Sequence, residues 1–77
     1  MKSFIPLSML SEGEQGKIVS IMGGRGLTRR LAELGFNLDT KVKVLRATSG
    51  PIVVLLRESR IAIGRGVAMK IFVEVEE

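Results

Sequence analysis

From Lys41 onward the apolar residues recur at every second position in short segments, and a turn cluster closes each segment before the next begins. "KVKVLRA" alternates through Val42 and Val44, "TSGP" interrupts, and "IVVLL" follows as a continuous run rich in β-branched side chains. "RES" makes another turn, "RIAI" puts Ile61 and Ile63 on one side, and "KIFVEVE" sets Ile71, Val73 and Val75 against Lys70, Phe72, Glu74 and Glu76. A period of two is the signature of strands, whose successive side chains point to opposite faces. The unbroken run 52–56 suits a strand covered on both faces. Upstream, "KIVSIM" supplies one more strand.

One stretch has a different period. Leu27, Leu31 and Leu34 stand at i, i+4 and i+7, which places them on one narrow face of a short helix beginning near Leu27. Gly35 is set to end that helix as its left-handed residue, with Phe36 folding back on the last turn. Before it, Leu7 and Leu10 predict a helical turn after Pro6, and Gly13 and Gly16 predict a tight turn. "GRGVAM" reads as a second glycine-punctuated loop.

A chain of 77 residues has room for one domain, and so short a chain buries only about 60% of the surface its unfolded form exposes. About five short strands with one helix after the first are too few for a two-sheet sandwich. The expected fold is therefore mainly β: a small, partly open barrel spanning residues 1–77, with one short inserted α-helix.

Composition removes several kinds of chemistry. There is no cysteine and no histidine, so no thiolate nucleophile, no imidazole base and no ordinary zinc ligand is available. No catalytic residue, metal site or cofactor is expected. Glu12 and Glu14, and the acidic tail of Glu74, Glu76 and Glu77, read as solvated charge. "GRGLTR" has the first two glycines of a dinucleotide loop, but Arg29 occupies the third position and a hairpin, not a parallel βαβ unit, follows the helix. The net charge of +4 favours acidic partners. With no Trp or Tyr, the stacking platforms that hold single-stranded nucleic acid are missing, and no nucleic-acid partner is expected. The apolar run 52–56 is far short of a membrane span, and the interrupted N-terminus is a poor signal peptide, so the expected location is cytoplasmic.

The leucine stripe divides the helix into a buried and a displayed face. Arg29 and Glu33 fall on the displayed side, four residues apart and able to pair, and Arg30 borders the stripe. Arginine is favoured at protein interfaces for its planar, multi-donor head. A docking helix is the expected reading, with Arg25, Arg29, Arg30 and Glu33 as contacts and Arg65 and an exposed Phe72 as further candidates. Leu27, Leu31 and Leu34 are expected to hold the helix to the barrel.

The succession "PLSMLSEGEQGKIVSI", "RRLAELGF", "KVKVLR", "GPIVV" and "IAIGRGVAMKIFVE" resembles the FeoA family, small cytoplasmic accessory proteins of ferrous iron uptake. The resemblance runs from Ile5 to Val75 and is most specific at Arg30-Leu31-x-x-Leu34-Gly35 followed by a valine strand. It implies an SH3-like barrel with an inserted helix. It also implies binding to the cytoplasmic, GTP-binding part of FeoB, the membrane transporter, with membrane association through that partner and self-association left open. The sequence departs from the family at Asp39, where glycine is usual, and at Gly64, where arginine is common and Arg65 comes one place later. A freestanding adaptor related to the C-terminal SH3-like domain of metal-dependent repressors is the alternative; the DNA-binding segment those repressors carry has no counterpart in this sequence.

Overall fold

The computed structural model describes residues 1–76; Glu77, last of the acidic tail, lies outside the described residues. Six strands form one antiparallel sheet: β1 (Lys2–Pro6), β2 (Gln15–Ile21), β3 (Lys41–Arg46), β4 (Ile52–Leu56), β5 (Ser59–Ile63) and β6 (Ile71–Glu76). Their spatial order is β1-β6-β2-β3-β4-β5, so the sheet curls on itself without closing and leaves β1 and β5 as edges. Helix α1 (Arg25–Leu34) connects β2 to β3, a 3-10 turn (Leu7–Met9) follows β1, and a short helix α2 (Arg65–Ala68) precedes β6.

Alternation decides what goes inside. Val42 and Val44 of β3, Ile52, Val54 and Leu56 of β4, and Ile71 and Val73 of β6 are buried, while Lys41, Lys43 and Glu76 point out. Leu7, Leu10, Ile18, Leu31, Phe36, Ile63 and Ala68 complete one core. Fully burying a side chain of this kind contributes about 1.5–3 kcal/mol, which is how a chain this small sustains a sheet. Bulges between Ile18 and Ser20 and between Val44 and Arg46 bend β2 and β3.

Three local readings change. β1 is a sixth strand that alternation does not announce; it exists because β6 offers it a hydrogen-bonding edge, pairing Phe4 with Glu74 and Ile5 with Val73. Gly16 is no turn residue: it lies buried within β2, where a Cβ would stand 2.9 Å from the Val73 Cβ. "GRGVAM" contains α2 instead of a loop. Gly13, by contrast, sits in a turn with φ of 90°. The substituted position Asp39 adopts φ of 69°, a left-handed conformation that aspartate enters more readily than most residues.

Candidate functional site

Helix α1 begins at Arg25, two residues earlier than the leucine period predicts, capped by the extended Gly24. The Thr28 hydroxyl donates to the Gly24 carbonyl at 3.0 Å, beside the helical N–H of the same residue, and this secures the first turn. At the other end Gly35 has φ of 108°, the Phe36 N–H donates to the Leu31 carbonyl at 2.9 Å, and the Gly35 N–H to the Ala32 carbonyl at 3.0 Å. These two bonds make a Schellman ending, and they swing Phe36 into the core, where it is 1% exposed.

The helix is held by less than its leucine stripe suggests. Leu31 is buried and Leu27 half-buried, but Leu34 is 46% exposed, so Leu34 does not hold the barrel. The cause is the ending itself: the left-handed turn at Gly35 hands the core contact to Phe36. Leu38, just beyond, is 61% exposed.

On a wheel of 100° per residue, Arg25, Arg29, Glu33 and Arg30 follow one another around the side away from Leu31, and all four are exposed. Their charges sum to +2. Arg29 and Glu33 form no ion pair; among the described residues the ion pair is Lys2–Glu74, at 3.3 Å. Next to Arg25 and Arg29 on the helix, Thr28 and Ala32 form one wall of a groove of about 330 Å³, with Val19 and Ile21 of β2, Phe36 and Leu38 as the other lining residues that matter. The displayed face thus sets Arg25 and Arg29 toward an apolar groove edged by the exposed Leu38, and Arg30 toward the exposed Leu34. Nothing in the sequence period marks Leu38 or the groove, because both arise where α1 crosses β2.

Two other candidates lie apart from this face in the chain's own bonding. The exposed Arg65 guanidinium donates to the carbonyls of Ala47 and Thr48, binding α2 to the β3–β4 turn. Phe72, expected to be exposed, is half-buried on β6 between Pro6 and Ser20. Glu12 and Glu14 are more than solvated charge: Glu12 accepts from the Ala47 N–H at 2.8 Å and Glu14 from the Ser11 N–H at 2.6 Å. Among the described residues no three carboxylates come together as a metal-ligand set.

The FeoA domain model matches residues 5–75, which takes in β2 to β5, all but the last residue of β6 and the whole of α1. The chain belongs to the FeoA domain family. A provisionally assigned Fe(2+) transport protein A of Methanocaldococcus jannaschii is 44% identical over 72 residues, covering 94% of this chain and 88% of that protein. The crystal structure of an iron uptake regulatory protein, FeoA, superposes with a TM-score of 0.87 at 32% identity and covers 92% of this chain and 96% of its own. A manganese-dependent transcriptional repressor reaches the same TM-score at 23% identity, over 99% of this chain and 44% of the repressor; that likeness shows the fold alone. The FeoA fold is SH3-like, and the open six-stranded sheet is its form here.

Proposed function

We propose that this FeoA-family chain is an accessory protein of ferrous iron uptake that works by docking α1 onto the cytoplasmic, GTP-binding part of a FeoB-type transporter. The observation that carries the reading is the division of α1: Leu31 anchors it, while Arg25, Arg29, Arg30 and Glu33 are displayed, Arg25 and Arg29 on the side that borders an apolar groove. Interfaces draw their energy from a few desolvated arginine and large apolar anchors within a polar rim, and this face has both kinds of group. The chain acts as one domain, performs no catalysis and, by its partner, works in the cytoplasm. Its family relatives supply the link to Fe(2+) transport. The repressor-like adaptor reading has the fold in its favour and no further observation, and a fold shared by unrelated functions does not choose between them.

The test is affinity for the transporter's cytoplasmic domain at two salt concentrations. Arg29→Ala combined with Arg30→Ala should leave thermal unfolding close to the parent's and weaken binding by roughly 2 kcal/mol if the arginines meet acidic groups at the interface centre. Contacts at the rim would show instead as a slower, less salt-sensitive on-rate, since the lost charges are the ones that salt screens. Lys17→Ala is the control. A folded double variant that binds as the parent does, at both salt concentrations and with the same on-rate, removes α1 from the interface.

A further inference from the structure

A second surface, made by the sheet and separate from α1, gathers five basic residues around an aliphatic strip. On the outward face of β3, β4 and β5 the register sets Lys43 beside Leu55 and Leu55 beside Arg60; one row along, Arg46 pairs with Val53 and Val53 with Ala62. Lys41 opens the same outward row of β3. It lines a shallow depression of about 470 Å³ together with Leu55, Thr40, Asp39 and Arg57, the last from the β4–β5 turn. All five basic residues are exposed, and Val53 and Leu55 are half-buried between them. The face is therefore an aliphatic strip flanked by cations. Asp39 and Glu58 adjoin it, and Glu12 sits at Ala47 beside Arg46, so five charges stand against three and leave a net of two; Glu74 and Glu76, which share a second depression with Lys41, are balanced there by Lys2 and Lys17.

Arg57 adds an independent sign. It occupies the first central position of the two-residue turn between Leu56 and Ser59, with φ of 59°. Positive φ at that position alone of the two is the type II′ pattern, in which glycine is the ordinary occupant. An arginine kept where the backbone prefers glycine points to a use for its charge.

We propose that this face rests on the anionic surface of a phospholipid bilayer, the cations meeting headgroup phosphates and the Val53–Leu55 strip facing the interface. Such contact would be direct, where the family resemblance implies membrane association only through the transporter. The geometry favours a bilayer over other polyanions. A nucleic-acid strand stacks its bases on aromatic side chains, and β3, β4 and β5 carry none. An acidic protein segment would need its carboxylates fixed in a matching pattern, whereas mobile anionic headgroups accept charges dispersed, as here, over three strands and the β4–β5 turn. Each unneutralised basic residue at an anionic leaflet raises partitioning about fivefold, so a net of two raises it on the order of twenty-five-fold at low salt.

The test is cosedimentation of the full chain with phosphatidylcholine vesicles, with and without phosphatidylglycerol, at low and at physiological salt. The chain should sediment with the phosphatidylglycerol vesicles and release as salt rises. Lys41→Gln, Lys43→Gln and Arg60→Gln together should lower partitioning by about twentyfold, to near the level of neutral vesicles, while Arg25→Gln, Arg29→Gln and Arg30→Gln, removing equal charge from α1, should lower it less than about threefold. Arg57→Gly should cost about fivefold with no loss of thermal stability, which keeps the proposal testable if the sheet variant unfolds. Equal losses for the two triple variants would assign the effect to net charge and overturn the proposal. Equal sedimentation with neutral vesicles, or none with anionic ones, would also overturn it. Binding to a single-stranded oligonucleotide that the sheet variant abolishes, in the absence of vesicle binding, would assign the face to nucleic acid instead.

Discussion

The Glu12 carboxylate accepts a hydrogen bond from the Ala47 N–H at 2.8 Å, joining positions that are 35 residues apart in the chain. Arg65 grips the other side of the same turn through the Ala47 and Thr48 carbonyls. The β3–β4 connection is thus clamped from two elements that do not pair with it as strands. Because the bond is exposed, its net worth lies at the low end for a charged acceptor, roughly 1.5 kcal/mol. Glu12→Ala should lower the unfolding free energy from urea titration by that amount and expose the Ala47 amide to hydrogen exchange, with Glu12→Gln milder. Unchanged exchange at Ala47 would show that the turn holds without Glu12.

Gly35→Val tests the helix ending. At φ of 108° a side chain is strained, and its Cβ would stand 3.0 Å from the Leu56 Cδ2. Left-handed backbone costs about 1–2 kcal/mol for an L-residue, and crowding Leu56 adds to this. A fall in stability of at least about 1 kcal/mol is expected, smaller for Gly35→Asn. Thermal unfolding unchanged by the valine would refute the Schellman assignment.

Two other glycines should respond with opposite signs. Gly16→Ala drives a methyl to 2.9 Å from the Val73 Cβ and 3.1 Å from the Glu74 carbonyl, an overpacking that costs about 1–3 kcal/mol. Gly26→Ala, inside α1 with nothing within 4 Å of the new Cβ, should stabilise by about 0.5–1 kcal/mol. Denaturant midpoints of the two variants decide the matter.

The leucines of α1 should separate as their exposure does. Leu31→Ala removes a side chain 2% exposed and should cost about 2–5 kcal/mol, whereas Leu34→Ala, at 46% exposed, should cost under about 1 kcal/mol. If Leu34→Ala proves as damaging as Leu31→Ala, the helix packs by its whole stripe after all.

Anaerobic titration calorimetry with Fe²⁺ or Zn²⁺ at neutral pH should find no stoichiometric site of micromolar affinity. Such a site requires about −8 kcal/mol, and carboxylates that do not converge in threes among the described residues have no means to supply it. A site of that strength would place iron handling within the chain itself.

Much of the fold is legible in short-range order. The periods of two at Val42–Val44 and Ile71–Val73–Val75, and the switch to a helical period at Leu27 and Leu31, name the strands and the helix because side-chain direction follows backbone repeat. Gly35 followed by Phe36 is legible for the same reason, since a helix ending involves only neighbours within one turn. The displayed arginines of α1 follow from that wheel, and their exposure in the structure agrees with it.

What long-range approach decided is of another kind. β1 carries no alternation and is a strand because β6 has an unpaired edge; Gly16 must be glycine because Val73 comes to meet it; Leu34 is left outside because Phe36 takes its place in the core. The tie of Glu12 to Ala47, the bonds of Arg65 to a turn, the groove beside Ala32 and the cationic rows of β3 to β5 all join residues distant in the chain. Periodicity records which way a side chain points. It holds no information about what the rest of the chain brings to that point, and in a domain so small the sheet's register supplies it.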